Sequence, residues 1–253
     1  MAHKLFRLYI ANPISVNQLV VLDKKQSHYL KNVLRLKSGF QVIIFNENDG
    51  EFLAEMNSEG KHDATLNPLE KLREPDSIPP LTLLFAPVKN ARSEFIVEKA
   101  TELGVAEIQP MITEFTVVRK VNTERMQATA IEATEQSERI TPPIIHAEED
   151  FKTIITRISN THKIMFCDES GNGTKMNKAF ADEKNAAAEN TKWAILIGPE
   201  GGFSPAEREA LYNLQKQKPE SIFPVSLGAR ILRADTAAIA AITLWQNYLG
   251  DLN

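Results

Sequence analysis

Apolar and polar positions alternate in short blocks through the first third of the chain. Leu19–Leu22, Val42–Phe45, Phe52–Met56 and Ala64–Leu66 are strand-length apolar runs. Turn signals at Ser38-Gly39, Asn48-Asp49-Gly50 and Ser58-Glu59-Gly60 separate them. Asn-Asp-Gly between two such runs predicts a hairpin, and strands at this spacing predict a small barrel or sandwich. Pro75, Pro79 and Pro80 then interrupt the pattern, because proline removes a donor and restricts its predecessor. A domain boundary is expected there, with residues 1–74 before it and 75–253 after it.

Beyond the boundary the period changes. Leu81–Phe85 is a predicted strand. Phe95, Ile96, Lys99, Ala100 and Leu103 recur at helical spacing within Ser93–Leu103, with Gly104 as the stop. Thr123–Arg139 is a second predicted helix, ended by Pro142-Pro143. Lys163–Cys167 and Trp193–Ile197 are apolar strands, and the small polar stretch Asn172–Asn190 between them is expected to be part helix and part loop. Strands alternating with helices predict an α/β fold with a mostly parallel sheet and helices on its faces.

At 253 residues, 43% hydrophobic and 25% charged, the composition excludes disordered, collagenous and coiled-coil classes. A single cysteine, Cys167, excludes a disulfide framework, and its place at the end of an apolar run suggests a structural thiol rather than a nucleophile. The first ten residues lack the apolar core and cleavage site of a signal peptide, and no window reaches the ~18 apolar residues of a membrane span. A cytoplasmic location without a membrane partner is expected.

Three segments carry candidate chemistry. In the first, the strand ending Leu196-Ile197 runs into Gly198-Pro199-Glu200-Gly201-Gly202-Phe203. A helix follows, with Ser204 as N-cap, Pro205 at the first helical position and Glu207 completing a capping box. Ligands in open α/β sheets sit beyond the carboxyl ends of strands, where this turn lies, and its glycines permit close backbone approach. In the second, Val225-Ser226 leads into Leu227-Gly228-Ala229-Arg230-Ile231-Leu232-Arg233-Ala234. Asp235 is then expected to cap an alanine-rich helix, Thr236–Leu249, ending at Gly250 and serving as core or as a subunit contact. In the third, Glu132, Gln136 and Arg139 fall on one face of the second predicted helix.

Familiar ligand loops are missing. Gly-Gly-Phe-Ser lacks the Gly-Lys-Ser/Thr of a P-loop. Gly171-Asn172-Gly173-Thr174-Lys175 lacks the third glycine of a dinucleotide fingerprint and is expected to be a surface loop. There is no G-x-S-x-G elbow. The histidines, His3, His28, His62, His146 and His162, have no metal-ligand spacing, so no metal is expected.

In order, Lys99–Val105 (KATELGV), Glu132–Arg139 (EATEQSER), Ile197–Ser204 (IGPEGGFS) and Leu227–Ala237 (LGARILRADTA) resemble the ribosomal RNA small subunit methyltransferase E family of the SPOUT superfamily. Val33-Leu34-Arg35-Leu36-Lys37-Ser38-Gly39 is similar to that family's early V-L-R-x-K-x-G segment. The resemblance spans nearly the whole chain. It departs at Phe115, where the family usually carries a basic residue before a hydroxyl residue, and at Asp235, where the family has glutamate.

The resemblance implies a PUA-like β-barrel that binds RNA, followed by an α/β SPOUT domain whose C-terminus threads a deep trefoil knot. It implies a homodimer that transfers a methyl group from S-adenosylmethionine to N3 of one uridine in 16S ribosomal RNA of the small subunit. Leu196, Ile197, Gly198, Pro199, Glu200, Gly201, Gly202, Leu227, Gly228, Arg230, Ile231 and Leu232 would then hold the cofactor. Arg139 and Arg233 are candidates for stabilising charge on the base. Glu132 is the candidate proton acceptor, beside Glu138 and Asp235. The competing readings are a SPOUT enzyme acting on transfer RNA or another ribosomal position, and a non-catalytic RNA-binding assembly factor. A Rossmann-type methyltransferase would place its glycine loop after the first strand of the domain, not late in the chain.

The net charge of −4 alone argues weakly against a nucleic-acid partner. Its distribution reverses that. Through Phe45, seven basic residues (Lys4, Arg7, Lys24, Lys25, Lys31, Arg35, Lys37) stand against Asp23, a local charge of +6, which leaves −10 on the remaining 208 residues. Lys31, Arg35 and Lys37 are the expected RNA contacts.

Overall fold

The structure is a computed structural model that describes residues 5–58, 64–181 and 191–252. Glu59-Gly60 of the third expected turn, positions 182–190 of the polar stretch, Lys4, His3 and His62 lie outside the described residues. The chain forms two compact units. One comprises Met1–Ser77 with Thr134–Pro142, and the other Ile78–Ala133 with Pro143–Asn253.

The first unit contains β1 (Arg7–Tyr9), β2 (Val20–Val21), α1 (Lys24–His28), β3 (Gln41–Asn46), β4 (Gly50–Asn57) and β5 (Thr65–Arg73). Its sheet has the order β1-β3-β4-β5-β2. Val42 and Ile44 on β3, and Phe52, Ala54 and Met56 on β4, point to one buried face at the two-residue period of a strand. The Asn-Asp-Gly hairpin forms as expected, with Asn46 opposite Gly50. Gly50 has φ +91°, and a Cβ there would collide with the Arg73 carbonyl, so only glycine fits.

Asp23 and Gln26 form a reciprocal capping box at the start of α1. The helix runs directly into a π-helical turn at Tyr29–Val33, and Arg35 then takes a left-handed conformation with φ +54°. This segment carries Lys31, Arg35 and Lys37, of which Arg35 and Lys37 are exposed.

Several hydrogen bonds hold Thr134–Pro142 in this unit. Arg7 Nη2 donates to the Arg139 carbonyl at 2.9 Å and Arg73 Nη2 to the Glu138 carbonyl at 2.8 Å. Tyr9 N–H donates to the Glu135 carboxylate at 3.0 Å, and Ile140 N–H to Asp76 at 2.6 Å. Both guanidiniums also pair with the buried Glu51.

The second unit is built from β6 (Leu81–Phe85), α2 (Asn90–Glu102), β7 (Glu107–Ile112), α3 (Thr123–Gln136, whose residues from Thr134 on count with the first unit), β8 (Ile144–Ile145), β9 (Glu149–Asp150), α4 (Phe151–Ile158), β10 (Lys163–Cys167), β11 (Thr174–Lys175), α5 (Met176–Ala181), β12 (Trp193–Ile197), α6 (Pro205–Gln217), β13 (Ile222–Ser226) and α7 (Ala234–Leu249). Its sheet order is β11-β13-β10-β12-β6-β7-β8, with β9 pairing β7. Every pairing in it is parallel.

β6 and β12 are buried along their whole length, as expected for parallel strands covered on both faces. Trp193, Ile195 and Ile197 pack in the layer formed with α2, α3, α5 and α7, whereas Ala194 and Leu196 pack with α4 and α6. The alanine-rich α7 belongs to the first layer. Ala234, Ala238, Ala241, Ile242 and Trp245 are buried, and Gln246 donates to the Leu103 carbonyl at 2.7 Å.

Three local expectations differ from the structure. α3 ends at Gln136, and Glu138 has φ +63°. Arg139 is therefore not on the helical face of Glu132 and Gln136, because guanidiniums of the first unit hold the carbonyls just beyond the helix end. α7 begins at Ala234 with Arg233 as N-cap, and Asp235 lies inside the first turn, accepting from Thr236 N–H at 2.7 Å. In the expected surface loop, Thr174-Lys175 pairs with β13, and a Cβ on Gly173 would strike the Val225-Ser226 backbone.

Candidate functional site

β10, β12 and β13 are neighbours in the parallel sheet, so the loops leaving their carboxyl ends meet in space. Those loops enclose a pocket of about 240 Å³. Its walls are Asp168–Gly171 after β10, Gly198, Pro199, Glu200 and Gly202 after β12, and Ser226–Leu232 after β13, closed by Ala234 and Ala237 of α7. This is the crevice where open parallel sheets bind ligands.

The loops are fastened from behind. Ser204 is the fully buried N-cap of α6, and its box with Glu207 fixes the exit of the Gly198–Phe203 turn. Glu207 also accepts from Glu114 N–H at 2.8 Å. Gly202 has φ +71°, and a Cβ there would fall on the Glu169 carboxylate. Glu200 pairs with Arg92 of α2 at 3.2 Å. In the third loop, Gly228 has φ +118° and its N–H donates to Ser226 Oγ at 3.3 Å.

Asp168 is the buried anchor of the first loop. Burial alone would raise its pKa. Hydrogen bonds from Ser170 and from Tyr212 Oη at 2.7 Å, with Arg208 Nε at 3.7 Å, outweigh that and hold it below its ordinary value. Arg208 Nη2 pairs with Glu169 at 2.5 Å. Burial pushes the Cys167 thiol up to about 12, which suits a structural thiol in the pocket floor and not a nucleophile.

Of the residues expected to hold a cofactor, Ile197, Gly198, Pro199, Glu200, Gly202, Leu227, Gly228, Arg230, Ile231 and Leu232 line this one pocket. Leu196 does not, because strand alternation turns it into the layer with α4 and α6. Gly201 stands outside the lining and packs against Phe115. Arg233 is exposed between pocket residues Leu232 and Ala234. Glu132 is exposed on α3, and Arg139 belongs to the first unit together with Lys31, Arg35 and Lys37.

Sequence reasoning missed Asp168–Gly171. Its available signal was an acidic, glycine-ended turn directly after an apolar strand, the same grammar as the other two loops. Among the described residues, no group of three or more His, Cys, Asp or Glu side chains could hold a metal. No helix there is long and apolar enough to cross a membrane.

An RNA methyltransferase domain model matches residues 75–246, and an RNA methyltransferase PUA domain model matches residues 22–69. A ribosomal RNA small subunit methyltransferase E from Rickettsia conorii is 37% identical over 237 residues, 93% of each chain. The chain belongs to the ribosomal RNA small subunit methyltransferase E family. A Synechocystis member of this family is 31% identical over 94% of this chain and 76% of its own length.

Among solved structures, the family member from Neisseria gonorrhoeae bound to S-adenosylmethionine superposes with a TM-score of 0.83 at 27% identity, covering 99% of this chain and 100% of that one. A Legionella pneumophila protein with bound S-adenosylmethionine gives a TM-score of 0.81 at 27% identity, covering 96% and 97%. The methyltransferase unit therefore has the SPOUT-type fold, and the N-terminal unit is PUA-like.

Proposed function

We propose that this chain transfers the methyl group of S-adenosylmethionine to N3 of a uridine in 16S ribosomal RNA, working as a cytoplasmic homodimer. The observation that carries the reading is the convergence of three glycine-bearing turns on one pocket, in a chain of this family. The pocket's chemistry suits the donor. Asp168, Glu169, Glu200 and Arg230 stand in the lining, and Arg208 and Arg92 balance those carboxylates, so the pocket offers polar partners of both signs to a ligand that carries sulfonium, ammonium and carboxylate groups. Leu227, Ile231 and Leu232 offer apolar contact to an adenosyl group, and the glycine turns offer backbone donors and acceptors.

S-adenosylmethionine, when bound, supplies an already activated methyl on sulfur. Methyl transfer forms the N3–carbon bond as the sulfur–carbon bond breaks, leaving a neutral thioether, and the N3 proton passes to a base. The chain's main task is alignment, which the three fastened loops perform. Loss of the N3 proton spreads charge onto two carbonyl oxygens, and a fixed cation there lowers the barrier. Arg233, adjoining the pocket, and Arg139 are assigned that role. Arginine stays protonated and so is a poor base; Glu132 is assigned the proton. Leu196 and Gly201 support the turn rather than the ligand. Lys31, Arg35 and Lys37 dock RNA from the PUA-like unit.

Purified protein incubated with methyl-labelled S-adenosylmethionine and unmodified 16S rRNA should yield labelled N3-methyluridine after nuclease digestion. Label in another nucleoside, or none, refutes the assignment.

A further inference from the structure

Phe115 lies in the loop between β7 and α3, beside the Gly198–Phe203 turn. The residue is 44% exposed, and hydrogen bonds on both sides fix its backbone. Thr113 and Thr116, both buried, close a four-residue turn through their hydroxyls at 2.7 Å and through Thr113 N–H to Thr116 Oγ1 at 2.9 Å. Glu114 N–H is held by the capping carboxylate of Glu207. Gly201 supplies the seat, since a Cβ placed on it would stand 3.4 Å from Phe115 Cβ and 3.6 Å from the ring.

Gly201 lies between Glu200 and Gly202, which both line the pocket. The fixed ring thus adjoins the pocket rim, where Ile231 is also 87% exposed. An aromatic face fixed beside a ligand pocket is placed to meet a flat group presented to that pocket.

We propose that Phe115 is a substrate-binding residue that stacks on a nucleobase of the RNA substrate, at or next to the base that is methylated. The proposal rests on the methyltransferase reading above. Base pairing hides N3 of a uridine, so the reacting base must leave its helix and lose its stacking partners. An aromatic face restores the stacking and leaves the Watson–Crick edge free for the reaction. Stacking also differs from the charge contact of a basic residue. It tolerates sequence change, needs no phosphate, and is little weakened by salt.

The test uses the full chain with 16S rRNA. Phe115→Ala should raise the KM for rRNA by about tenfold or more, with S-adenosylmethionine affinity, oligomer mass and the salt dependence of RNA binding unchanged. Phe115→Trp should keep the wild-type KM, and RNA should quench its added indole emission above the background of the buried Trp193 and Trp245. An unchanged KM in Phe115→Ala overturns the proposal. So does a parallel loss of S-adenosylmethionine affinity, which would make the ring a prop for the Gly201 turn, or a change in mass, which would make it a subunit contact. A wild-type chain that methylates no rRNA overturns the parent reading and this proposal together; an active wild type with a silent Phe115→Ala overturns this one alone.

Discussion

Replacing Glu51 by glutamine should cost far more stability than a surface ion pair is worth. Glu51 accepts from Arg73 Nε at 3.0 Å and Nη2 at 2.7 Å, and its Oε2 pairs with Arg7 Nη2 at 2.7 Å. The Arg7 and Glu51 side chains are only 4% and 7% exposed, whereas Arg73 is 44% exposed. The Arg73 part of the cluster is therefore screened by water and contributes about 1 kcal/mol or less. Arg7 differs. Its guanidinium lies 4.4 Å from the Phe45 ring centre, its Nε and Nη1 have no hydrogen-bond partner among the described residues, and burial pulls its pKa down.

Glutamine keeps the shape of Glu51 but leaves that buried cation without its counter-ion, a loss of about 3–5 kcal/mol. Replacing both partners, as Arg7→Met with Glu51→Leu, should recover most of the loss, because no buried charge then remains. Urea unfolding followed by far-UV circular dichroism measures the three stabilities. Hydrogen exchange across 134–142 should quicken in Glu51→Gln, because Arg7 and Arg73 also hold the Arg139 and Glu138 carbonyls. A Glu51→Gln protein within about 1 kcal/mol of wild type, or a double variant no better than the single, refutes the reasoning.

Gly202→Ala combines a left-handed backbone with a methyl aimed at the Glu169 carboxylate; calorimetry should show S-adenosylmethionine affinity falling about tenfold, from ~1–2 kcal/mol of strain, in a folded protein. Neutralising Lys31, Arg35 and Lys37 together should weaken RNA binding and flatten the slope of log affinity against log salt by about 2, at ~0.7 per phosphate on single strands. Asp168 is held below its ordinary pKa, so its stabilisation is complete above the unfolded value and disappears as pH falls through the folded one. Tyr212→Phe removes one donor to that carboxylate, so acid unfolding should begin at higher pH; an unmoved acid midpoint contradicts this. Arg139→Ala should lower kcat about 10²–10³-fold if the guanidinium stabilises charge on the base, and full turnover would remove it from the reaction.

Local signals in the sequence were enough wherever one stretch of chain decides its own structure. Asn48-Asp49-Gly50 closes a hairpin because Gly50 can take φ +91°. Ser204 and Glu207 cap α6 because both partners lie within one turn. Gly104 ends α2 at φ +81°. Asp150, Phe151, Ile154, Ile155 and Ile158 carried an equally clear helical pattern that went unread.

What stayed hidden was set by distant partners. β1 is three residues long and pairs in parallel with β3, which no short window can reveal. The helix that the sequence pattern carries to Arg139 stops at Gln136, and Arg7 and Arg73, far away in sequence, hold the carbonyls beyond it. Two of the pocket's three walls were visible as glycine turns. The Asp168–Gly171 wall was not, since only the adjacency of β10 to β12 and β13 brings it there.

The central claim is that the three-loop pocket directs one methyl group onto N3 of a 16S rRNA uridine. Mass-spectrometric mapping of 16S rRNA from a strain lacking this protein tests it most directly, with the wild-type and Gly202→Ala chains returned in separate strains. The account predicts one uridine that loses its N3 methyl in the deletion, regains it with the wild-type chain, and regains little with the variant. A 16S rRNA whose modifications are identical with and without the protein would contradict it.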